Sequence, residues 1–330
     1  MKAKSIKGFS PQEIQKYLEE SMADGFNPTL AVVFLSVEQD RKTICEVLNE
    51  KGLVVFGATT CGEFIDGQFS NGGTAILLLE ISSGLFSLYY EPEAEKDTRI
   101  KVRKLAEKAL EQFKNPAFVV AGSGLRVDGE FVIRGIEDAA GNDTIIYGGL
   151  AGDDLKMKET IVFTNNKSSK EGIVMLAFDG DKIAFKGRAT HGVKGVGTLK
   201  TITKAEGWWI HTLDDQPALD LVAKYMGIEI EKKGEISPIP PDFEIIDDVV
   251  NDCREVKVNE LQEADALIMF SCVGRLSALG PLISDEIEGV KNTFNVPMAG
   301  FFSYGEFGRA TNGNHEFHNL TCCWFAIKEK

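Results

Sequence analysis

The stretch VVFGATTCGEF at residues 54–64 decides how this chain is read, because the sequence writes a version of it three times. It returns as VPMAGFFSYGEF at 296–307 and, more loosely, as IIYGGLAGDD at 145–154. Each copy is an apolar run, a glycine-bearing turn, and then a glycine followed by an acid: Gly62-Glu63, Gly152-Asp153 and Gly305-Glu306. Each also has the same lead-in, an apolar run that stops at a serine: LAVVFLS at 30–36, AFVVAGS at 117–123 and ALIMFS at 266–271. A helical segment separates each serine from its turn, so the pattern reads as strand, helix, strand, acidic loop. β-rich sequence follows each loop, at 74–81, 160–164 and 320–327. The repeated unit is a parallel βαβ crossover with antiparallel strands added. Crossovers of one hand send equivalent loops out at the same end of a sheet, where α/β proteins bind ligands. The expected fold class is therefore α/β, in two lobes built from repeated β-α-β-loop units with added antiparallel strands.

Composition narrows the function. A chain of 330 residues, 43% of them hydrophobic, exceeds the usual size of one core, which is why two lobes are expected. Thirty-six basic against fifty acidic residues leave a net charge of −14, a field that repels nucleic acid and anionic membrane surfaces. The N-terminal sequence carries charge throughout and lacks the apolar centre of a signal peptide. Runs such as AILLL and GIVMLAF fall far short of the roughly 20 residues a membrane helix needs. A cytoplasmic protein without membrane insertion is expected. Its six cysteines (45, 61, 253, 272, 322, 323) form no CxxC pair, which argues against a disulfide scaffold and a zinc ribbon.

Taken in order, Ser10-Pro11 caps a docking helix whose apolar face is Ile14, Tyr17, Leu18 and Met22. A helix at 39–50 completes the first βαβ unit. Ser82-Ser83-Gly84 reads as a hairpin turn, and the stripe at 100, 102, 105, 106, 109, 110 and 113 as a helix ended by Asn115-Pro116. Strands follow at 172–179 and 182–191 with Asp179-Gly180 as the turn between them. Trp208 and Trp209 fall on opposite faces of a further strand, and 217–225 is a helix stopped by Gly227. The segment 231–258 opens with three of the ten prolines and a run of charge. The expected domains are an N-terminal lobe at 1–230 with its docking helix, a proline-rich acidic connection at 231–258, and a C-terminal lobe at 259–330.

GATTCGE at 57–63, GGLAGDD at 148–154, FSCVGR at 270–275, GFFSYGE at 300–306 and FHNLT at 317–321 together resemble the FIST family (F-box and intracellular signal transduction), its N-terminal and C-terminal parts in order. The resemblance covers residues 30–325. It implies a sensory domain that binds a small ligand, an amino acid or similar metabolite. The signal would pass to a histidine kinase, chemoreceptor or cyclase, and because no output domain is seen that partner would act in trans. No cofactor or metal is implied. The segment between Gly227 and Asn259 departs from the family pattern, being short and proline-rich.

The candidate ligand-binding residues are Thr59, Thr60, Cys61, Gly62 and Glu63 in the first loop, and Gly152, Asp153 and Asp154 in the second. The C-terminal lobe adds Ser271, Cys272, Arg275, Tyr304, Gly305, Glu306, His318 and Asn319. A carboxylate in a glycine turn can accept from an ammonium, or it can simply cap its own loop. The Arg275 fork suits a carboxylate, or an internal salt bridge to one of the three acids. Arg275 with Glu306 would hold both ends of an amino acid. Cys61 and Cys272 sit at corresponding places beside glycines. As nucleophiles they would need a base from His191, His211, His315 or His318, and a cysteine-dependent hydrolase or transferase is kept as the alternative to a sensor. His315 and His318, three apart in a loop leading into a strand, do not suit a metal. Gly192, Gly195 and Gly197 lack the helix that would hold a phosphate. A protein-binding adaptor is the third reading.

Overall fold

The computed structural model describes residues 1–193, 197–206, 209–226, 244–310 and 312–330. It divides into a large unit, Met1–Gly192 with Asp242–Lys330, and a small one, Val193–Pro241. The large unit is one βαβαβ-hairpin-β pattern laid down three times.

The first repeat is β1 (Lys2–Gly8), α1 (Pro11–Met22), β2 (Leu30–Leu35), α2 (Arg41–Glu50), β3 (Val54–Thr59), the hairpin β4 (Glu63–Ile65) and β5 (Gln68–Ser70), then β6 (Thr74–Glu80). The second is β7 (Phe86–Glu91), α3 (Thr98–Gln112), β8 (Pro116–Gly122), α4 (Gly129–Ala140), β9 (Ile146–Leu150), the hairpin β10 (Val162–Phe163) and β11 (Ser168–Ser169), then β12 (Ile173–Asp179). The third opens with β13 (Ile183–Thr190). The small unit then intervenes, with β14 (Ile202–Glu206), β15 (Trp209–Leu213), β16 (Gln216–Pro217) and α5 (Ala218–Met226). The third repeat resumes with α6 (Glu244–Asn259), β17 (Ala266–Cys272), α7 (Val273–Leu279), α8 (Ile283–Phe294), β18 (Met298–Ser303), the hairpin β19 (Glu306–Arg309) and β20 (His315–His318), and β21 (Cys322–Glu329).

The pairing is cyclic. The three six-stranded sheets run β1-β6-β2-β3-β10-β11, β7-β12-β8-β9-β19-β20 and β13-β21-β17-β18-β4-β5. Four strands of each sheet come from one repeat, and the last two are the hairpin of another. The second repeat donates to the first, the third to the second, and the first to the third. Register is equivalent each time: Phe163 lies opposite Gly57, Phe307 opposite Gly148 and Phe64 opposite Gly300. The Phe163 ring fills the space a side chain on Gly57 would need, and Phe64 does the same over Gly300. The parallel pairs β2–β3, β8–β9 and β17–β18 confirm the α/β class.

Inner faces of the three sheets share one core, in which Phe34, Phe56, Tyr147, Phe178, Phe270, Phe301 and Phe325 are buried. Rings from different repeats touch there, Phe34 with Phe301 at 4.7 Å and Tyr147 with Phe325 at 4.6 Å. Each outer face is covered by a helix pair: Ile14, Leu18, Ile44 and Leu48 of α1 and α2, Val102, Leu105, Val132 and Ile136 of α3 and α4, and Val249, Cys253, Ile287 and Val290 of α6 and α8. Strands buried on both faces read as unbroken apolar runs, which is why the lead-ins are so plain in the sequence. Ser10 caps α1 as expected, its Oγ accepting from the Glu13 amide at 3.2 Å. Tyr17, expected on the buried face, is exposed.

Several local expectations change. Ser82-Ser83-Gly84 is no hairpin: β6 already lies between β1 and β2, so the chain after it has no edge to pair with and crosses to β7 in the next sheet. For the same reason the Asp179-Gly180 turn separates strands of different sheets, since β12 lies between β7 and β8. Of 160–164 only Val162–Phe163 is strand, and it belongs to a donated hairpin; the counterpart of β6 and β21 is β12. α6 occupies residues 244–258 of the expected connection. Residues 231–243, Gly195, Gly227 and Trp208 lie outside the described residues, while Trp209 in β15 is exposed. In the small unit, Lys200 pairs with Asp214 at 2.9 Å and Thr203 bonds Thr212 at 2.7 Å.

The glycine–phenylalanine register predicts an outcome. Gly57→Ala should destabilise the fold by about 1–3 kcal/mol through overpacking. Adding Phe163→Leu should recover part of that loss in denaturant unfolding. Full additivity of the two changes would show that the ring does not set this register.

Candidate functional site

The three glycine turns meet where β3, β9 and β18 end. Cys61 N–H donates to the Phe302 carbonyl at 2.9 Å, Gly152 N–H to that of Thr59 at 2.8 Å, and Tyr304 N–H to that of Leu150 at 3.1 Å. These bonds form a closed ring in which Cys61, Gly152 and Tyr304 occupy one equivalent position. The counterpart of Cys61 is therefore Tyr304 and not Cys272, which lies at the end of β17. Gly152 has no side chain because one would strike the Cys61 sulfur. The Tyr304 hydroxyl reaches across the junction, donating to Asp153 Oδ1 at 2.5 Å. Thr59 Oγ1 donates to the Gly152 carbonyl at 2.7 Å. Thr59, Thr60, Cys61, Gly62, Glu63, Gly152, Asp153, Asp154 and Tyr304 are thus brought together from all three repeats.

A second ring fixes the acids. Phe302 N–H donates to the Gly62 carbonyl at 2.9 Å, Leu150 to Gly305 at 2.8 Å, and Thr59 to Ile161 at 2.9 Å. Gly62, Gly305 and Ile161 are equivalent, so the counterpart of Glu63 and Glu306 is Val162. Asp153 instead opens an extra loop, 153–160, and its carboxylate accepts from the amides of Met157 (3.0 Å), Lys158 (2.6 Å) and Glu159 (2.9 Å). Burial would raise its pKa, but the Tyr304 hydroxyl and these amides hold it below the usual value. The loop is strained, with positive φ at Asp154, Leu155 and Met157, and the Asp153 carboxylate is what ties it down. Asp154 accepts from Ser36 Oγ at 2.7 Å.

Glu63 and Glu306 are both fully buried, and a hydroxyl three residues earlier serves each. Thr60 Oγ1 bonds Glu63, which also accepts from the Gly73 amide at 3.0 Å. Ser303 Oγ bonds Glu306 at 2.6 Å and Thr321 Oγ1 at 2.8 Å. Burial pushes both carboxyls up to about 8, the hydroxyls offsetting only part of it. Gly305 leaves room for the Phe317 ring.

Arg275 is buried and closed on a partner the sequence reading did not name. Its Nε donates to Glu286 at 3.1 Å, its Nη2 bonds the other carboxylate oxygen, and Nη1 donates to the carbonyls of His191 (2.9 Å) and Leu320 (3.2 Å). The guanidinium ties α7 to α8, to the end of β13 and to the turn before β21, so Arg275 and Glu306 do not form opposed poles. Glu286 had a signal in the sequence: it sits on the α8 stripe of Ile283, Ile287, Val290 and Phe294, where a lone acid needs a cation. Ser271 Oγ reaches the same carboxylate at 3.5 Å.

Burial raises the Cys61 thiol and pushes Cys272 up to about 12, the opposite of the depressed pKa a nucleophile requires. His315 lies in a strand, not a loop. It is buried with Nδ1 against the Ile146 backbone, and burial pushes it down to about 4. Among the described residues no group of His, Cys, Asp and Glu is arranged to hold a metal ion.

Concave space lies beside the hairpin β19–β20. A cleft of about 500 Å³ is bounded by the end of β13, by α6 and by the hairpin, with Thr190, His191, Asp248, Asp252, Glu316 and His318 in its wall. Of the expected residues, His318 lines it, half-buried with Nε2 3.2 Å from the Gly308 carbonyl, and Asn319 is exposed next in the chain. Arg275 lies behind the wall, holding the His191 carbonyl.

Two measurements follow. Replacing one partner of the buried ion pair, as in Glu286→Gln, should cost about 3–5 kcal/mol in denaturant unfolding. Glu63 and Glu306 keep a proton in the native state that the unfolded chain releases above 4.5, so stability should fall as pH rises toward 8. The slope is up to about 1.4 kcal/mol per pH unit for each group. His315 acts oppositely below its ordinary value of 6.5, and the six buried thiols, all raised from 9.0, act in the same sense as the glutamates near pH 8.5, so pH 6.5 to 7.5 isolates the glutamates. Glu63→Gln and Glu306→Gln should each flatten the slope; an unchanged slope in both would show that neither carboxyl is protonated.

The FIST N domain matches residues 29–216 and the FIST C domain residues 243–309. Curated proteins provide no match. No helix among the described residues is long and apolar enough to cross a membrane. Two matches in order, over most of the chain and over all three repeats, identify it as a member of the FIST family of signal-transduction sensory proteins.

Proposed function

We propose that this protein is a small-molecule sensor whose ligand, an amino acid or similar metabolite, binds in the cleft beside β19–β20. A partner in trans, such as a histidine kinase, chemoreceptor or cyclase, would read the bound state. One observation carries the proposal: a single hairpin holds both the cleft and the junction. Its second strand brings Glu316 and His318 to the cleft wall, while Glu306, at its foot, pairs with His318 in register and follows Tyr304 of the backbone ring. A ligand that shifts this hairpin acts where all three repeats meet. The cleft volume of about 500 Å³ suits a metabolite. The raised thiols favour this reading over a cysteine-dependent enzyme.

The test is a thermal-shift screen of amino acids, small carboxylates and amines on the wild type and on His318→Ala. A ligand at a hundredfold excess over Kd should stabilise the fold by about 2.7 kcal/mol. That shift should shrink in the variant. A flat screen on folded protein would overturn the sensor and favour the adaptor.

A further inference from the structure

We propose that the cleft recognises a primary ammonium on a flexible chain, as in a linear diamine or the side-chain end of a basic amino acid. The inference rests on the sensor reading and names the chemistry of the same site. The wall presents acceptors. Asp248, Asp252 and Glu316 line it, and no described lining residue is a Lys or Arg. The guanidiniums nearby are spent elsewhere. Arg275 is closed on Glu286, while Arg188 and Arg309 both pair with Glu260, the latter at 3.1 Å.

The neutral groups point the same way. Thr190 already gives its hydroxyl proton to Asp252. The Asn312 amide donates to Glu316 at 2.9 Å. His318 turns Nε2 toward the Gly308 carbonyl, so that nitrogen carries the proton and Nδ1 of the neutral ring is left as an acceptor. Burial, with Asp248 and Glu255 as like-charged neighbours, raises the Asp252 carboxyl. An arriving ammonium relieves that repulsion. A free α-carboxylate in the same space would meet three acids and, among the described lining residues, no Lys or Arg, which disfavours a zwitterion with both charges on one carbon. A ligand long enough to leave its carboxylate outside is accepted.

Titration calorimetry on the full chain distinguishes the outcomes. The probes are 1,4-diaminobutane, L-lysine, L-alanine and succinate, at moderate salt so that the overall negative charge does not dominate. Diaminobutane should bind at one site per chain and alanine and succinate should not. Binding of lysine with diaminobutane means a basic amino acid is accepted, and diaminobutane alone means a simple diamine. Asp252→Asn and Asp248→Asn, each checked for native circular dichroism, should weaken diaminobutane tenfold or more. Glu107→Gln on the remote helix α3 should leave it unchanged. Equal loss in Glu107→Gln, or none in either cleft variant, would reduce the binding to diffuse charge attraction and overturn the inference. Succinate or alanine binding that is lost in His318→Ala, with no diamine binding, would sink the ammonium and leave the sensor standing. No binding by any probe, together with a flat thermal screen, would remove both.

Discussion

Three backbone hydrogen bonds, from Cys61 to Phe302, Gly152 to Thr59 and Tyr304 to Leu150, hold the fold at its centre, and the exchange of hairpins around them makes each repeat incomplete alone. Without the exchange, β3, β9 and β18 would each be an open edge, a liability in any β protein. The donated hairpins close those edges. Because the donation is cyclic, no repeat can close its own sheet, and all three sheets are closed only when all three hairpins are in place. The repeats are joined in sequence yet paired across 90 residues and more, as with Phe163 over Gly57. Such non-local pairing makes for slow, cooperative folding.

The polar groups buried near this centre follow from its geometry. A carboxylate at the foot of a donated hairpin is sealed beneath the next sheet and must be satisfied locally, so Thr60 and Ser303 stand three residues ahead of Glu63 and Glu306. In the second repeat the extra loop displaces the acid, Val162 takes the strand position, and Asp153 caps its own loop. Arg275 with Glu286 is a different device. Buried ion pairs add little net stability, but removing one partner strands the other. The pair therefore specifies how α7 and α8 sit against β13, and with them the back wall of the cleft.

The proposed function and the architecture meet in β19–β20, which is part of the second repeat's sheet by pairing and of the third repeat by covalent connection. Contacts at Glu316 and His318 are borne by the hairpin whose first residue is locked to Thr321 and Ser303. Among the described residues the cleft wall carries Asp248, Asp252 and Glu316 and no Lys or Arg, and the nearby Arg275, Arg188 and Arg309 are engaged by Glu286 and Glu260.

The triple motif, the βαβ units, the lead-in strands and the family were legible in the sequence, since strand pairing within a repeat and burial on both faces are written in local pattern: LAVVFLS needs no partner to be read as a buried strand. That the three glycine–acid loops meet was foreseeable from equivalent loops leaving equivalent strands, but that Cys61, Gly152 and Tyr304 are the residues in equivalent positions was not. The hairpin exchange was not foreseeable either, because β4 (EFI) and β19 (EFGR) are too short to carry a periodicity and read as loop, and nothing local names the edge that accepts them. For the same reason Ser82-Ser83-Gly84 looked like a hairpin when both sides of β6 were taken, and Asp153 looked like the counterpart of Glu63 until the backbone ring placed Val162 there. Arg275 announced a need for an anion, but the choice of Glu286 over Glu306 depended on where α8 packs. The sequence by itself determined the lead-in strands, most of the helices and the repeat, because those depend on residues near one another in the chain. Which repeat completes which sheet, which acid meets which base and where a cleft remains open were decided only by the tertiary structure, because those depend on edges and faces that exist only once all three repeats have assembled.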